Sequence, residues 1–301
     1  MNGFMSYDPP PYRPPSEASS LLLRVTRGCP WNQCTFCSMY KDLQFEKRPV
    51  EEVLQDIDTL REFSRGGVPT IFIGDSNSLV LDTKALVEIL QYLNKTFPSA
   101  QRVTSYARAR TLSKKPMEEL KAIRQAGLTR LHIGLETGDP ELLDEMKKGA
   151  TPEQMVEGAL RAKEAGFEVS LYVLAGIGGE RKWKQHAEGT AKVLNQISPH
   201  FIRIRTYVPT PFSPLWEKVQ DGSFELASAE AILMEQRRLV ELLHVTSEYL
   251  SDHISNYVPV YGRLPEDQAA MLQTVDRALA ILRKDDRYRR SLESKRHLTS
   301  L

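Results

Sequence analysis

The chain has 301 residues, enough for one large domain or two ordinary ones, since a single α/β barrel takes about 250 residues. Hydrophobic residues make up 41% and charged residues 26%, which argues against a disordered, collagen-like or coiled-coil protein. A net charge of +1 argues against a protein held to nucleic acid or membrane by bulk charge. No stretch resembles a membrane span and the N-terminus does not resemble a signal peptide, so we expect a cytoplasmic protein.

The predicted elements begin after a proline-rich N-terminal arm, residues 1–20. Its prolines fix φ and remove amide donors, so we expect an extended, irregular segment on the surface. Short apolar β-branched runs then predict strands at Leu21–Thr26, Thr70–Gly74, Arg102–Tyr106, Arg130–Leu135, Glu168–Leu174 and Phe201–Thr206. Apolar residues at helical spacing predict helices at Val50–Phe63, Thr83–Leu93, Pro116–Ala126, Pro140–Lys147, Pro152–Ala165 and Arg181–Ile197.

This alternation sets the fold class. Successive βα units demand parallel strands with right-handed crossovers. Six units are fewer than the eight that close a full barrel, so the sequence predicts an α/β fold, a partial (β/α)6 parallel barrel over residues 21–225. Residues 226–301 are predicted to form a helical C-terminal extension, with helices at Ser228–His244 and Glu266–Leu282 and a charged tail. Basic residues of the tail could contact RNA, although such tails are more often solvated.

Cysteine usage carries the strongest chemical signal. The three cysteines of the chain, Cys29, Cys34 and Cys37, lie within nine residues, just after the first predicted strand. A secreted disulfide scaffold would need more cysteines spread along the chain. Three thiolates in one loop can converge on a metal centre, and thiolates select zinc, copper(I) or iron–sulfur. A structural zinc site usually takes four ligands, whereas a [4Fe–4S] cluster held by three cysteines leaves one iron free, so a reduced zinc loop is the lesser alternative.

Arg-Gly-Cys-x4-Cys-x-Phe-Cys followed by the βα alternation resembles the radical S-adenosylmethionine superfamily. The similar branch includes oxygen-independent coproporphyrinogen oxidases and elongator-type tRNA-modifying enzymes. The resemblance spans roughly residues 20–216 and shows four residues, rather than the commoner three, between Cys29 and Cys34. It implies that Cys29, Cys34 and Cys37 hold a [4Fe–4S] cluster whose free iron binds S-adenosylmethionine. The cofactor is then cleaved to methionine and a 5′-deoxyadenosyl radical, which takes a hydrogen atom from substrate.

Residue parity predicts which strand residues face the interior of the barrel. It places His132, Gly134 and Glu136 inward on the fourth predicted strand. On the first, fifth and sixth strands it places inward Arg24, Thr26, Ser170, Tyr172, Arg203, Arg205 and Tyr207. An unpaired charge in a closed core is costly, so this many polar residues predict a wet, ligand-filled interior.

Further motifs match cofactor-binding positions of the family. The resemblance implies contacts to the cofactor from Glu136, from Gly74, Asp75 and Ser76 after the second strand, from Gly176 and Gly178 after the fifth, and from Phe36. The alternative for the glycines is a plain strand-to-helix turn. Charge and direction make Arg205 the candidate partner of the cofactor carboxylate. Candidate substrate contacts are His132, Tyr172, Arg203, Tyr207, His253 and Asn256. Arg203 could instead form a structural ion pair, and the loop 251–257, which contains His253 and Asn256, could instead have a capping role.

The sequence thus predicts a single-cluster radical enzyme that abstracts hydrogen from a small organic substrate, leading to oxidation, rearrangement or bond cleavage. No cysteines remain for an auxiliary cluster, which disfavours sulfur insertion. An external one-electron donor of flavodoxin or ferredoxin type is implied, and neither nucleic acid nor membrane is expected as a partner. Two alternatives stay open, an RNA-modifying radical enzyme and a non-catalytic carrier of haem or another cofactor.

Overall fold

The structure is a computed structural model that describes residues 12–64 and 67–298. Its strands are β1 (Leu21–Arg24), β2 (Thr26–Arg27), β3 (Glu46–Lys47), β4 (Thr70–Gly74), β5 (Arg102–Ala107), β6 (Arg130–Glu136), β7 (Glu168–Ala175), β8 (Phe201–Thr206), β9 (Ser247–Ser251) and β10 (Val260–Leu264). Its α-helices are α1 (Val50–Phe63), α2 (Thr83–Thr96), α3 (Ala109–Lys114), α4 (Met117–Gln125), α5 (Pro140–Glu145), α6 (Pro152–Glu164), α7 (Trp183–Ile197), α8 (Pro214–Gln220), α9 (Ala229–Leu242), α10 (Gln268–Leu282) and α11 (Asp286–Glu293). Within these residues, no helix combines the length and apolar character needed to cross a membrane.

The α/β class predicted from the sequence is confirmed. Among the described residues the main sheet has the strand order β1-β4-β5-β6-β7-β8-β9-β10, and β2 pairs separately with β3. Parallel pairing is observed for β1–β4, β4–β5, β5–β6, β7–β8 and β8–β9, while β10 runs antiparallel to β9. The C-terminal part contains helices, as expected: α9, α10 and α11.

Several element boundaries have local causes that the sequence shows. The Asp82 side chain accepts from the Lys84 and Ala85 amides at the start of α2, and Asp139 accepts from the Leu142 amide at the start of α5. Gly127 has φ +111°, a left-handed conformation that ends the α4 region without the steric cost of a side chain.

The C-terminal part differs from the prediction in one respect. Residues 226–301 were expected to be helical with a polar loop at 251–257, but β9 and β10 extend the sheet. The apolar-run criterion misses β9 because its sequence, SEYLS, is mostly polar and alternates buried with exposed residues. The predicted loop is present, and it connects these two strands.

Contacts within the chain define two compact units. The first comprises described residues of Met1–Asn32, Asp42–Ile133 and Glu157–Val169, and the second those of Gln33–Lys41, Gly134–Val156 and Ser170–Leu301. In the first unit, α1 packs against β1 and α2. Leu23 of β1, Ile71 and Ile73 of β4, Ile57 of α1 and Ile89 of α2 are all 0% exposed, so these elements contribute apolar side chains to the core of the unit.

In the second unit, β7 and β8 are in register with Tyr172 opposite Arg203. Helix α9 packs against both α7 and α10. The C-terminal tail is bound rather than merely solvated, since the Lys295 ammonium donates to the Asn256 carbonyl and the Arg296 guanidinium to the Ala227 carbonyl. The first bond ties the tail to the loop that joins β9 and β10, and the second ties it to the segment before α9.

The described part of the N-terminal arm, residues 12–20, is exposed at most positions, as expected, but it is not irregular throughout, since Pro15–Glu17 form a 3-10 turn. Residues 1–11 lie outside the described residues, but Glu17 is 0% exposed. Its carboxylate accepts from the Ser20 hydroxyl at 2.6 Å and from Arg102 at 3.3 Å, and it lies 3.1 Å from His132 Nε2. A buried carboxylate needs such partners, and the prolines before it do not reveal them. Burial alone would raise the pKa of Glu17, but the bonds from His132 and Ser20 lower it to about 2.

We expect Glu17→Gln to lower the free energy of unfolding at neutral pH by about 2–3 kcal/mol, because the amide keeps the shape but loses the charge that faces Arg102 and His132. Since folding lowers the pKa of Glu17 from 4.5 to about 2, its contribution is present above pH 4.5 and is lost as the pH falls towards 2. Denaturant titrations across this range measure the loss, which should be smaller in the variant. Glu118→Gln, at an exposed helical position, is the control, and identical acid-side profiles for wild type and Glu17→Gln would contradict the prediction.

Candidate functional site

The cysteine loop begins where β1 and the short strand β2 end. Gly28 adopts φ +76° and Asn32 adopts φ +47°, so a residue in the left-handed region lies on each side of Cys29. The Asn32 amide points to the Cys29 sulfur at 3.4 Å. Cys29 belongs to the first unit, and Cys34 and Cys37 belong to the second. None of the three cysteines forms a disulfide, and their side chains are partly exposed.

In the first unit, residues after β4 hold the start of this loop. Asp75 is 0% exposed, and its carboxylate lies 3.1 Å from Arg24 Nε and accepts from the Gly28 amide at 2.8 Å. The Ser76 hydroxyl donates to the Gly28 carbonyl at 2.9 Å. Both polar groups of the Gly28 backbone are therefore bound by adjacent residues. Burial raises the pKa of Asp75, and Arg24 opposes this rise.

These contacts give Gly74, Asp75 and Ser76 partners within the protein. The Gly74 carbonyl accepts from the Val25 amide at 2.9 Å. The cofactor contacts that the sequence resemblance implied for these residues stay predictions. What the structure adds is a role in shaping the backbone just before Cys29.

Glu136 ends β6 in the second unit and has a left-handed backbone, with φ +62°. Its Oε1 accepts from the Lys148 ammonium at 2.8 Å, and no other hydrogen bond to this carboxylate is found among the described residues. A side chain at Gly134 could not be accommodated, because its Cβ would lie 2.1 Å from Glu136 Oε1. The glycine two residues earlier on the strand thus makes room for the carboxylate, which retains one oxygen for a ligand.

Phe36 lies near the same lysine. The Lys148 ammonium is 5.8 Å from the centre of the Phe36 ring. The backbone of Thr35 is anchored on both sides, by its amide to the Met146 carbonyl at 3.0 Å and by its carbonyl to the Leu215 amide at 2.8 Å. Phe36 packs against the apolar cluster formed by Met146, Ile177, Tyr207 and Leu215.

Tyr207, a predicted substrate contact, belongs to that cluster and is 6% exposed. Burial raises the pKa of its hydroxyl, so it stays protonated at neutral pH. His132 is 0% exposed and bound to Glu17, in the first unit, with the Phe72 and Tyr106 rings nearby. The structure gives both side chains internal surroundings, and their contact with substrate stays a prediction.

Gly176 and Gly178 lie in a turn after β7, and local contacts explain why each of these positions holds a glycine. Gly176 has φ +78°, and a Cβ there would lie 2.5 Å from Ile232 of α9. A Cβ at Gly178 would lie 3.0 Å from the Lys182 carbonyl oxygen. The Gly176 amide donates to the Glu235 carboxylate, at 3.0 and 3.2 Å from its two oxygens. The plain-turn alternative therefore has support, and adenine contact stays a prediction.

His186 and Glu235 are buried site residues that sequence reasoning missed. His186 is 1% and Glu235 2% exposed, and the two form an ion pair with 2.9 Å between Nδ1 and Oε1. His186 Nε2 lies 3.1 Å from the Glu136 carbonyl oxygen. Burial alone would lower the pKa of His186, but Glu235, the Glu136 carbonyl and Asp139 together raise it. The available signal is an ionisable residue at a core-facing position on each of α7 and α9.

The predicted faces of β7 and β8 are observed. Ile202 and Ile204 are buried, while Arg203 Nε donates to the Ser170 hydroxyl at 3.1 Å and the Arg205 guanidinium lies 5.3 Å from the Tyr172 ring centre. Strand parity thus correctly predicts which residues share a face.

Arg205 also contacts the loop after β9, with 2.7 Å between Nη1 and His253 Nε2. Burial and the neighbouring guanidinium lower the pKa of His253 to about 4, so the imidazole is neutral at pH 7 and accepts from Arg205. Asn256 accepts from the Thr206 hydroxyl at 3.2 Å and donates to the Ile204 carbonyl at 2.8 Å. These two hydrogen bonds hold the loop at the end of β8, which supports the capping alternative for Asn256.

A family model described as the radical SAM superfamily matches residues 23–188, more than half of the chain. The chain belongs to the radical SAM superfamily. Members of this superfamily generally use a [4Fe–4S] cluster and S-adenosylmethionine, and they need a reductant.

The chain is 26% identical over 253 residues to an uncharacterized methyltransferase of Pyrococcus horikoshii, a match that covers 80% of this chain and 51% of that protein. The heme chaperone HemW of Bacillus subtilis is 24% identical over 204 residues, covering 65% of this chain and 53% of that one. The chain therefore spans about half the length of these curated relatives.

Among solved structures, coproporphyrinogen III oxidase of Escherichia coli, described as a radical SAM enzyme, matches with a TM-score of 0.59 and 17% identity. The match covers 74% of this chain and 51% of that one. At this identity the likeness shows the fold, and it confirms the predicted partial barrel.

The cluster that the superfamily implies can be compared with the donors present. Partly exposed cysteines outside disulfides can supply the thiolates that iron–sulfur clusters take, and the Asn32 amide directed at the Cys29 sulfur is the kind of contact that tunes the potential of such a cluster. Among the described residues, no three His, Cys, Asp or Glu side chains are arranged to hold a single metal ion. The donor chemistry fits a cluster, and the assignment of the three ligands stays a prediction.

We expect Asp75→Ala to destabilise the protein by about 3 kcal/mol or more, because it removes a buried carboxylate from the Arg24 guanidinium and from the Gly28 amide. Ser76→Ala should cost only about 1 kcal/mol, since one hydroxyl bond is lost. Denaturant unfolding of both variants measures the difference. Asp58→Ala, which removes an exposed carboxylate bound to Tyr92, is the control, and an unfolding free energy of Asp75→Ala equal to that of this control would contradict the prediction.

Proposed function

We propose that this chain is a radical SAM enzyme that uses one [4Fe–4S] cluster to generate a 5′-deoxyadenosyl radical and abstract hydrogen from a small organic substrate. The observation that carries the proposal is the cysteine loop, Cys29-x4-Cys34-x2-Cys37, which follows β1 and β2 and lies inside the segment that matches the family. Oxidation, rearrangement and bond cleavage are the reaction classes this supports.

In this proposal Cys29, Cys34 and Cys37 each bind one iron as thiolates, and the fourth iron is left for the cofactor. When bound, the cluster and S-adenosylmethionine supply the electron transfer and carbon–sulfur cleavage that yield methionine and the radical. Asp75 and Ser76 act on the protein side, since they fix the Gly28 backbone next to the first ligand. Fixing a loop before the ligand arrives reduces the ordering that binding must otherwise supply.

Three residues of the second unit are assigned to the cofactor. The Glu136 carboxylate, with one oxygen not bonded to Lys148, accepts from a hydroxyl or ammonium group. Arg205, whose contacts are a neutral imidazole and an aromatic ring, binds the carboxylate. Phe36 offers the adenine an aromatic surface held by the apolar cluster around Met146.

The substrate lies in this proposal against the polar face of β7 and β8, where Tyr172 and Arg203 are found. A one-electron donor protein of flavodoxin or ferredoxin type reduces the cluster. We propose neither nucleic acid nor a membrane as a partner. The net charge is only +1, and no helix within residues 12–64 and 67–298 is long and apolar enough to span a membrane.

The similarity to a heme chaperone favours a second candidate, a carrier that keeps the cluster and cofactor but binds haem instead of catalysing a reaction. The two candidates differ in one measurable property. An enzyme cleaves S-adenosylmethionine under reducing conditions, whereas a carrier retains haem without that cleavage.

The first test of the proposal concerns the metal. After anaerobic reconstitution the protein should be brown and bind about four irons per chain, and its electron paramagnetic resonance signal should change on addition of S-adenosylmethionine. Replacement of any one of Cys29, Cys34 or Cys37 by Ala should abolish the cluster, because three thiolates are its minimum ligand set here. Ser38→Ala, in the same loop, is the matched control. A single tightly bound zinc with no spectral response would refute the cluster.

The second test separates enzyme from carrier. Under dithionite the reconstituted wild type should slowly form 5′-deoxyadenosine and methionine without substrate, because the cluster and sulfonium are positioned for electron transfer. Arg205→Ala should weaken cofactor binding by about 1.5–3 kcal/mol, the scale of a hydrogen bond to a charged group. Arg287→Ala, in the exposed tail, should change neither quantity. Intact clusters with haem retention and no 5′-deoxyadenosine would support the carrier.

A further inference from the structure

A chain of buried polar contacts joins the ends of two strands in the second unit. It runs from the Glu136 carbonyl at the end of β6 to His186 Nε2 at 3.1 Å, and from His186 Nδ1 to Glu235 Oε1 at 2.9 Å. Both Glu235 oxygens then accept from the Gly176 amide, just after β7. His186 is on α7 and Glu235 on α9, so two helices contribute one residue each.

The acceptors determine the protonation of His186. A carbonyl oxygen can only accept, so Nε2 must carry a hydrogen. The Glu235 carboxylate lies 2.9 Å from Nδ1, and its negative charge favours the protonated ring over the neutral one. The arrangement therefore favours an imidazolium, and the raised pKa of His186 agrees with this. A charged donor makes the bond to the Glu136 carbonyl stronger than a neutral one.

The bond acts on a backbone position that is otherwise unfavourable. A non-glycine residue at φ +62° occupies a sparsely populated region and persists only where its surroundings fix it. That same conformation places the Glu136 carboxylate over Gly134, next to Lys148. Loss of the bond to the carbonyl would let the backbone relax and redirect the carboxylate.

We infer that His186, held by Glu235, is a positioning residue that fixes the backbone of Glu136 and so aims its carboxylate at bound S-adenosylmethionine. The inference rests on the proposed function, in which Glu136 contacts the cofactor. It also gives α9, which lies outside the segment matched by the family model, a part in shaping the cofactor site.

A double-mutant cycle on the reconstituted holoenzyme tests the inference. The dissociation constant for S-adenosylmethionine is measured by anaerobic calorimetry for wild type, His186→Gln, Glu136→Ala and the double variant. Iron content and melting temperature are recorded for each. Glu235→Gln is a second way to weaken the bond from His186 to the Glu136 carbonyl, because it removes the negative charge beside His186. The glutamine amide oxygen can still accept from the Gly176 amide. His244→Gln, at an exposed histidine, is the control.

We expect His186→Gln to weaken cofactor binding about tenfold in the wild-type background and less than about twofold when Glu136 is already Ala, because the histidine acts through that carboxylate. Glu235→Gln should weaken binding in the same direction, with iron content unchanged in every variant. If His186 has only a structural role, His186→Gln should lower the melting temperature and weaken cofactor binding equally in the wild-type and Glu136→Ala backgrounds. That result would overturn this inference but not the proposed function. A wild type that holds its cluster but does not bind S-adenosylmethionine would overturn the proposed function and this inference with it.

Discussion

The buried Asp75 carboxylate accepts from the Gly28 amide and faces the Arg24 guanidinium, and the geometry before the first cysteine depends on it. Burying a carboxylate is costly unless its lone pairs are used, so the chain must keep both partners in place. Glu235 follows the same rule in the second unit, where it accepts from the Gly176 amide and pairs with His186. In each unit a buried acid fixes the backbone at the end of a strand, where the candidate site residues lie.

Most of the fold could be predicted because it is encoded locally. The bounds of β4 and β8 follow from short apolar runs and those of α1 from apolar residues at helical spacing, and the observed ends agree with the predicted ones. The strands β9 and β10 could not be predicted in this way, since their stability comes from pairing with β8 and with each other rather than from an apolar run. The burial of Glu17 could not be predicted from local sequence either, because its partner His132 lies 115 residues away along the chain.

The site was predictable in type but not in its connections. Parity correctly places Arg203 and Arg205 on the face shared with Ser170 and Tyr172, because alternation is a property of the strand itself. Motif position cannot show that Asp75 meets Arg24, or that Gly176 meets Glu235 across 59 residues. Sequence patterns therefore identify residues near the chemistry, and only the fold shows which of them also hold the backbone.

The charges of the second unit suggest how the proposed cofactor is oriented. Glu136 bonds to Lys148 through one oxygen, and Arg205 meets no carboxylate among the described residues; in the proposed function the first provides a negative group and the second a positive group. The methionine end of S-adenosylmethionine carries both an ammonium and a carboxylate. Because the pKa of His253 is about 4, the imidazole beside Arg205 is neutral well above that pH and leaves the guanidinium charge unchanged. A pH dependence of cofactor binding near neutrality must therefore come from a group other than His253.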